Sequence, residues 1–268
     1  MFILELNQIY LGDCLDIMKE IDDDTIDLTV TSPPYDNLRT YNDSLNWNFE
    51  VFNPIADELY RITKPSGVVV WVVGDATIKG SETGSSFRQA LYFKDIGFNL
   101  HDTMIWNKNS FSAVGALKTR YAPVFEYMFI FSKGKIKTFN PIKDKANKTA
   151  GQLADGTIRI ANGEMKKRSS SKFVPKFSQR NNIWDLPPYR GRCGHPAPFP
   201  EQLAHDHIIS WSNECDIVFD PFAGSGTTCK MAMLAGRDYI GIEKDEGYYE
   251  LAKNRVLQAS NTNVPTDE

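Results

Sequence analysis

The segment Phe219-Asp220-Pro221-Phe222-Ala223-Gly224-Ser225-Gly226-Thr227-Thr228 constrains this chain more than any other. An apolar run enters it and a helix-forming stretch leaves it, so it reads as a strand, a tight turn and the start of a helix. Glycine tolerates such a turn and lets a ligand approach the backbone. Glu243 follows at the end of the next apolar run, 23 residues after Asp220. An acid about 20 residues on is where an α/β nucleoside site holds ribose hydroxyls. The Gly-Ser-Gly spacing does not fit GxGxxG, and no P-loop lysine follows, which disfavours a dinucleotide or ATP. Taken alone, the glycines are also consistent with a plain helix-opening turn.

Around this segment, strand and helix patterns alternate. Strand character is predicted within residues 3–11 and for residues 25–31, 68–73, 99–106, 125–131, 216–220 and 238–243. Helical spacing is predicted for 14–21, 47–62, 87–96, 200–211, 228–235 and 247–259. The turn 64–67 separates a helix from the run VVVWVV, residues 74–86 read as a mobile loop, and residues 260–268 as a frayed end. The alternation predicts a Rossmann-like α/β fold, doubly wound around a mostly parallel sheet. Periodicity fades between 135 and 190, so three regions are expected: 1–134, an insertion 135–190, and 191–268.

Charge marks the same insertion. The whole chain has a net charge of −4, yet residues 133–192 hold 15 Lys or Arg against 4 Asp or Glu. A basic island in an acidic body predicts a local surface for a polyanion, with a solvated basic loop as the alternative. Cys14, Cys193, Cys215 and Cys229 are scattered and read as free thiols in a reducing compartment. His195, His205 and His207 have no matching ligand cluster, so no metal is expected. No apolar run reaches the roughly 20 residues of a membrane span, and nothing resembles a secretory leader. Cytoplasmic localisation is expected.

A second short segment carries the chemistry. Thr31-Ser32-Pro33-Pro34-Tyr35 ends a β-rich run, and paired prolines forbid its continuation as helix or inner strand. The exocyclic amine of cytosine or adenine is a poor nucleophile because its lone pair is delocalised into the ring. It needs acceptors that take its protons and turn the lone pair toward an electrophile. The Ser32 hydroxyl and the Pro33 carbonyl are such acceptors, and Tyr35 offers a face for stacking. The target atom is unreachable inside a duplex, so the base must be flipped out. A proline-rich turn closing a strand is the plainer alternative.

The two segments resemble the acceptor and cofactor motifs of the amino-methyltransferases of DNA, which use S-adenosylmethionine. Their order, with target recognition between them, resembles the beta class. Gly12-Asp13-Cys14, Lys64-Pro65-Ser66-Gly67 and His195-Pro196-Ala197-Pro198-Phe199-Pro200-Glu201 resemble further family segments. The resemblance implies that Ser32, Pro33, Pro34 and Tyr35 form the catalytic loop. It implies that Asp13, His195, Pro196, Phe199, Asp220, Pro221, Phe222, Gly224, Ser225, Gly226, Thr227 and Glu243 surround S-adenosyl-L-methionine. Asp220 falls near its methionine end, Phe222 near its adenine or sulfonium region, and Glu243 at its ribose.

In the class of methyltransferases that methylates ring carbon, a Pro-Cys dipeptide supplies a covalent nucleophile, and this chain has no Pro-Cys. Transfer directly to nitrogen is implied. Family members with Ser in the first position of the tetrapeptide mostly methylate cytosine N4, and those with Asp mostly adenine N6. Ser32 therefore favours cytosine, with adenine as the alternative. The island falls where the family recognises its target, which implies DNA contacts from Lys166, Lys167, Arg168, Lys172, Lys176, Arg180, Arg190 and Arg192. Asn181, Asn182 and Trp184 read equally as base contacts or as a closing turn with a buried Trp. The expected partner is double-stranded DNA, with a cognate restriction endonuclease as a candidate and monomer and homodimer both open. A non-catalytic nucleic-acid binder and a methyltransferase of RNA or protein amides are the rival functions.

Overall fold

The run at residues 68–73, Val-Val-Val-Trp-Val-Val, is no more than 1% exposed. Its side chains alternate between two apolar clusters: Val68, Val70 and Val72 in one, Val69, Trp71 and Val73 in the other. Strands buried on both faces belong to a parallel sheet covered by helices on each side. The computed structural model describes residues 4–34, 47–110, 119–154, 156–167, 172–189 and 200–262.

In chain order the elements begin with β1 (Gln8–Leu11), α1 (Cys14–Met18), β2 (Ile26–Thr31), α2 (Phe49–Ile62) and β3 (Thr63–Val73). Next come β4 (Thr77–Ile78), β5 (Ser81–Glu82), α3 (Ser85–Asp95), β6 (Asn99–Asn107) and β7 (Phe125–Ser132). Five short strands follow: β8 (Lys145–Ala146), β9 (Thr157–Arg159), β10 (Met165–Lys167), β11 (Phe177–Ser178) and β12 (Ile183–Asp185). The last are α4 (Glu201–Trp211), β13 (Ile217–Asp220), α5 (Thr227–Leu234), β14 (Asp238–Glu243) and α6 (Glu246–Thr262).

The chain divides into two compact units, Met1–Asn140 with Asn182–Glu268, and Pro141–Asn181. The first contains an eight-stranded sheet of order β1-β14-β13-β2-β3-β7-β6-β12. Only β7 runs antiparallel to its neighbours. Leu203, Ile208, Cys229, Ala232, Ala252 and Val256 bring α4, α5 and α6 onto one face. Met18, Phe52, Leu59 and Phe93 bring α1, α2 and α3 onto the other. Each helix turns its apolar stripe inward: in α2 the buried positions are Phe52, Ile55, Ala56, Leu59 and Ile62, and the Asn48 side chain caps its start by accepting from Val51 N at 3.0 Å. This is the doubly wound architecture that the alternation predicts.

The chain leaves β13 toward β14 in one direction across the sheet, and leaves β2 toward β3 in the other. β13 and β2 are neighbours, so the connections after them diverge and open a crevice at the carboxyl ends of the strands. Ligands bind α/β sheets at such a reversal.

Two expectations change, and one open reading is decided. The turn at 64–67 lies within β3: the β2 register shifts from Ile26↔Thr63 to Leu28↔Val68, and Ser66 takes a φ of 77°. A bulge absorbs Pro65, which has no N–H for the ladder. Residues 74–86 contain the β4–β5 hairpin, closed by Asp75, whose carboxylate accepts from Ser86 N at 2.9 Å and Ser85 Oγ at 3.1 Å and anchors the start of α3. Trp184, 5% exposed, stacks on His207 with ring centroids 4.4 Å apart, which makes it a core residue. The second unit is held by small antiparallel ladders, β8 with β11 and β9 with β10.

Candidate active site

The crevice is built by bonds across the β13–β2 junction. Asp220, the last residue of β13, is 1% exposed and accepts from Thr31 Oγ1 at 2.7 Å and from Phe222 N at 3.1 Å. Thr228 Oγ1, at the start of α5, donates to the Val30 carbonyl at 3.0 Å. The end of β2 is thus tied twice to the strand–turn–helix beside it. Ser32 follows at once, half-buried, with Pro33 and Pro34 buried behind it. Burial pushes the Asp220 carboxyl up to about 6, against the opposing effect of its hydrogen bonds.

The glycine loop is pinned from the next strand. Ala223 N donates to the Ile242 carbonyl at 2.8 Å, and Gly224 N to Glu243 Oε2 at 2.8 Å. Gly226 adopts a φ of +74°, and a Cβ there would meet Ala252 Cβ at 3.0 Å, so glycine is required by both backbone and space. Glu243 Oε1 accepts from Asp245 N at 2.8 Å. The Glu243 carboxylate is thus held by backbone N–H groups and keeps lone-pair capacity for further donors. Burial raises the Glu243 carboxyl above its ordinary value. One strand further, Gly12 N donates to the Glu243 carbonyl at 2.9 Å and places Asp13 beside it. Asp13 caps α1 through Leu15 N at 3.0 Å and meets Lys244 Nζ at 3.0 Å. Asp13, Glu243 and Asp220 therefore follow or end adjacent strands at one edge of the sheet.

The Phe222 ring, half-buried, is held edge-on by Trp47 at 5.5 Å and Trp71 at 6.3 Å. Pro221, Ser225 and Thr227 are buried in the turn. Sequence reasoning missed four participants. Thr31 and Thr228 lie within the quoted segments but were given no role there. Trp47 reads as an ordinary helix-start residue. Arg255 comes from α6: it donates to the Ser225 carbonyl and to Glu201 Oε1 at 2.9 Å, and Lys230 Nζ reaches the same Glu201 oxygen at 2.7 Å. No local pattern announces that link.

Tyr35, Arg168, Arg190, Arg192, His195, Pro196 and Phe199 lie outside the described residues. In the second unit Lys166, Lys167, Lys172 and Lys176 are exposed, while Arg180 pairs with Asp144 and lowers that carboxyl below its ordinary value. His207 is buried, with Nε2 3.2 Å from Met128 Sδ. Among the described residues no group of three or more His, Cys, Asp or Glu is arranged to hold a metal ion. Among them, too, no helix is long and apolar enough to cross a membrane.

A sequence profile of the DNA methylase family matches residues 26–254. The chain belongs to this family. M.BamHII, an orphan methyltransferase of Bacillus amyloliquefaciens, is 56% identical over 249 residues, covering 89% of this chain and 92% of its own length. Among solved structures, the PvuII DNA methyltransferase, described as cytosine-N4-specific, aligns with a TM-score of 0.70 at 20% identity, over 97% of this chain and 92% of that one. The complex of M1.HpyAVI with SAM aligns with a TM-score of 0.64 at 24% identity, over 93% of this chain and 98% of that one. The chain is a beta-class DNA amino-methyltransferase of the N4/N6 group, site-specific and dependent on S-adenosylmethionine. The crevice residues suit that cofactor. Spare acceptor capacity on Glu243 matches ribose hydroxyls, an edge-supported aromatic ring matches a flat base, and the buried Asp220 carboxyl matches a cationic tail.

The raised Asp220 carboxyl has a measurable consequence. Folding favours its protonated form, so its contribution to stability is full below pH ~4 and is lost as pH rises through about 6. Asp220→Asn stays neutral and keeps an oxygen for Thr31. It should melt above the parent at about pH 7, and this advantage should vanish near pH ~4. A parent-to-variant difference that is constant across that range would contradict the burial of the carboxyl.

Proposed function

We propose that the chain transfers a methyl group from S-adenosylmethionine to the exocyclic N4 of cytosine in a base flipped from duplex DNA. The observation that carries this is the placement of Ser32 at the end of β2, one residue beyond the Thr31–Asp220 bond. Acceptor loop and cofactor loop thereby open into one crevice. Ser32 is also the residue type that favours cytosine within the family, and the PvuII enzyme of the same fold is described as cytosine-N4-specific.

The residues then take these roles. The cofactor supplies an electrophilic methyl group on a sulfonium. Glu243 accepts from the ribose hydroxyls, and Asp13 lies toward the adenine. Asp220, ionised above pH ~6, attracts the cationic amino-acid end. Pro221, Phe222, Gly224, Ser225, Gly226 and Thr227 shape the wall, joined by His195, Pro196 and Phe199. Ser32 Oγ and the Pro33 carbonyl accept hydrogen bonds from the two N–H groups of the amine and direct its lone pair outward. Pro33 and Pro34 hold those acceptors in place, since proline fixes the backbone direction, and positioning is the chief catalytic resource. Tyr35 stacks on the flipped base. No covalent enzyme–base bond is needed. The basic residues Lys166, Lys167, Arg168, Lys172, Lys176, Arg180, Arg190 and Arg192 supply the DNA surface.

Two measurements check this. Charge-assisted hydrogen bonds contribute ~1.5–3 kcal/mol, so Glu243→Ala should weaken cofactor binding about tenfold or more by calorimetry while the fold persists. Unchanged affinity would remove Glu243 from the ribose site. Mass spectrometry of nucleosides from duplex DNA treated with the parent should find N4-methylcytosine. N6-methyladenine alone would overturn the cytosine assignment and keep the amine chemistry. 5-Methylcytosine would overturn both.

A further inference from the structure

The second unit carries a two-stranded arm. β9 and β10 pair antiparallel with each other and, among the described residues, with no other strand. Every residue of both strands is exposed. A lone hairpin buries too little surface to be stable by that means, and this one is fastened at its tip. Ile160 N donates to the Glu164 carbonyl at 2.9 Å, and Gly163 N donates to the Ile160 carbonyl at 2.8 Å. The Asn162 side chain accepts from Glu164 N at 3.1 Å and donates to Glu164 Oε2 at 3.0 Å.

Residues that face each other in an antiparallel ladder share a side. The pair Ile158↔Lys166 lies on one side of the arm, and the pairs Met165↔Arg159 and Lys167↔Thr157 lie on the other. Arg159, Lys166 and Lys167 stand against a single carboxylate, Glu164, which is engaged in the tip. One side thus presents two cations and two methyl-bearing chains with no acid among them.

We infer that this arm enters the major groove of the target duplex with Thr157, Arg159, Met165 and Lys167 on the base edges. The inference rests on the proposal that the chain methylates duplex DNA. Paired strands lie about 4.8 Å apart. A ribbon of that width with its side chains fits a major groove of about 12 Å and is excluded from a minor groove of about 6 Å. Arg and Lys donors match guanine O6 and N7, and methyl groups match the thymine C5 methyl. Lys166, on the other side, is left for phosphate, which positions the protein and carries no sequence information.

The test uses the full chain with Arg159→Ala and Lys166→Ala, both at exposed positions, with cofactor affinity by calorimetry as the check on folding. Methylation-sensitive sequencing of a randomised plasmid library gives the recognition motif of each. Arg159→Ala should become degenerate at one guanine position, with discrimination there reduced tenfold or more. Lys166→Ala should keep the parent motif and lower the log–log salt slope of DNA binding by about one. Arg159→Ala with the parent's motif, whether binding weakens or not, would overturn the groove assignment. No methylation of any duplex by the parent itself would instead overturn the proposal beneath it, a result distinguishable because it does not involve the variant.

Discussion

The hydrogen bond from Thr31 to the buried Asp220 carboxyl is the contact on which the site depends. It crosses from β13 to β2, where the connections that follow the two strands diverge, and it joins the last residue before the acceptor loop to the last residue before the glycine loop. The Thr228–Val30 bond repeats the connection from the helix side. Divergent loops would otherwise have no reason to stay in register. A carboxyl placed here carries a desolvation cost, visible in its raised pKa, and that cost is tolerable because Thr31 and Phe222 N partly satisfy it.

Around that contact the supports come from far along the chain. Glu243 fastens the glycine loop through Gly224 N. Arg255 fastens its far side through the Ser225 carbonyl, and with Lys230 it shares Glu201, the first residue of α4. Loops that hold a ligand are seldom rigid by themselves; here strand β14 and helices α4, α5 and α6 supply the rigidity. Aromatic packing does the same for Phe222, whose ring lies edge-on between Trp47 and Trp71.

Much of this was legible in the sequence. Strand and helix periods gave the doubly wound sheet, because strands buried on both faces must be apolar throughout and helices must show one apolar stripe. The strand–turn–helix around the glycines and the place of Glu243 at the end of the next strand were legible because such a turn needs particular residue types and the apolar runs mark the strands. The link from Arg255 to the glycine loop was not, since it depends on how a helix 30 residues away docks. The bulge at Pro65 read as a break because proline marks a lost hydrogen bond without saying whether the strand resumes. Trp184 left two readings open, and only its pairing in β12 and its stacking on His207 place it in the core.

A double-mutant cycle on Thr31→Val and Asp220→Ala addresses the central contact most directly, read as the single-turnover rate of methyl transfer to duplex DNA. If the bond holds acceptor and cofactor loops in register, its two ends act as one unit. The double variant should then be no slower than the slower single variant. Losses that multiply, so that the double variant carries the product of both defects, would contradict the dependence of the site on that bond.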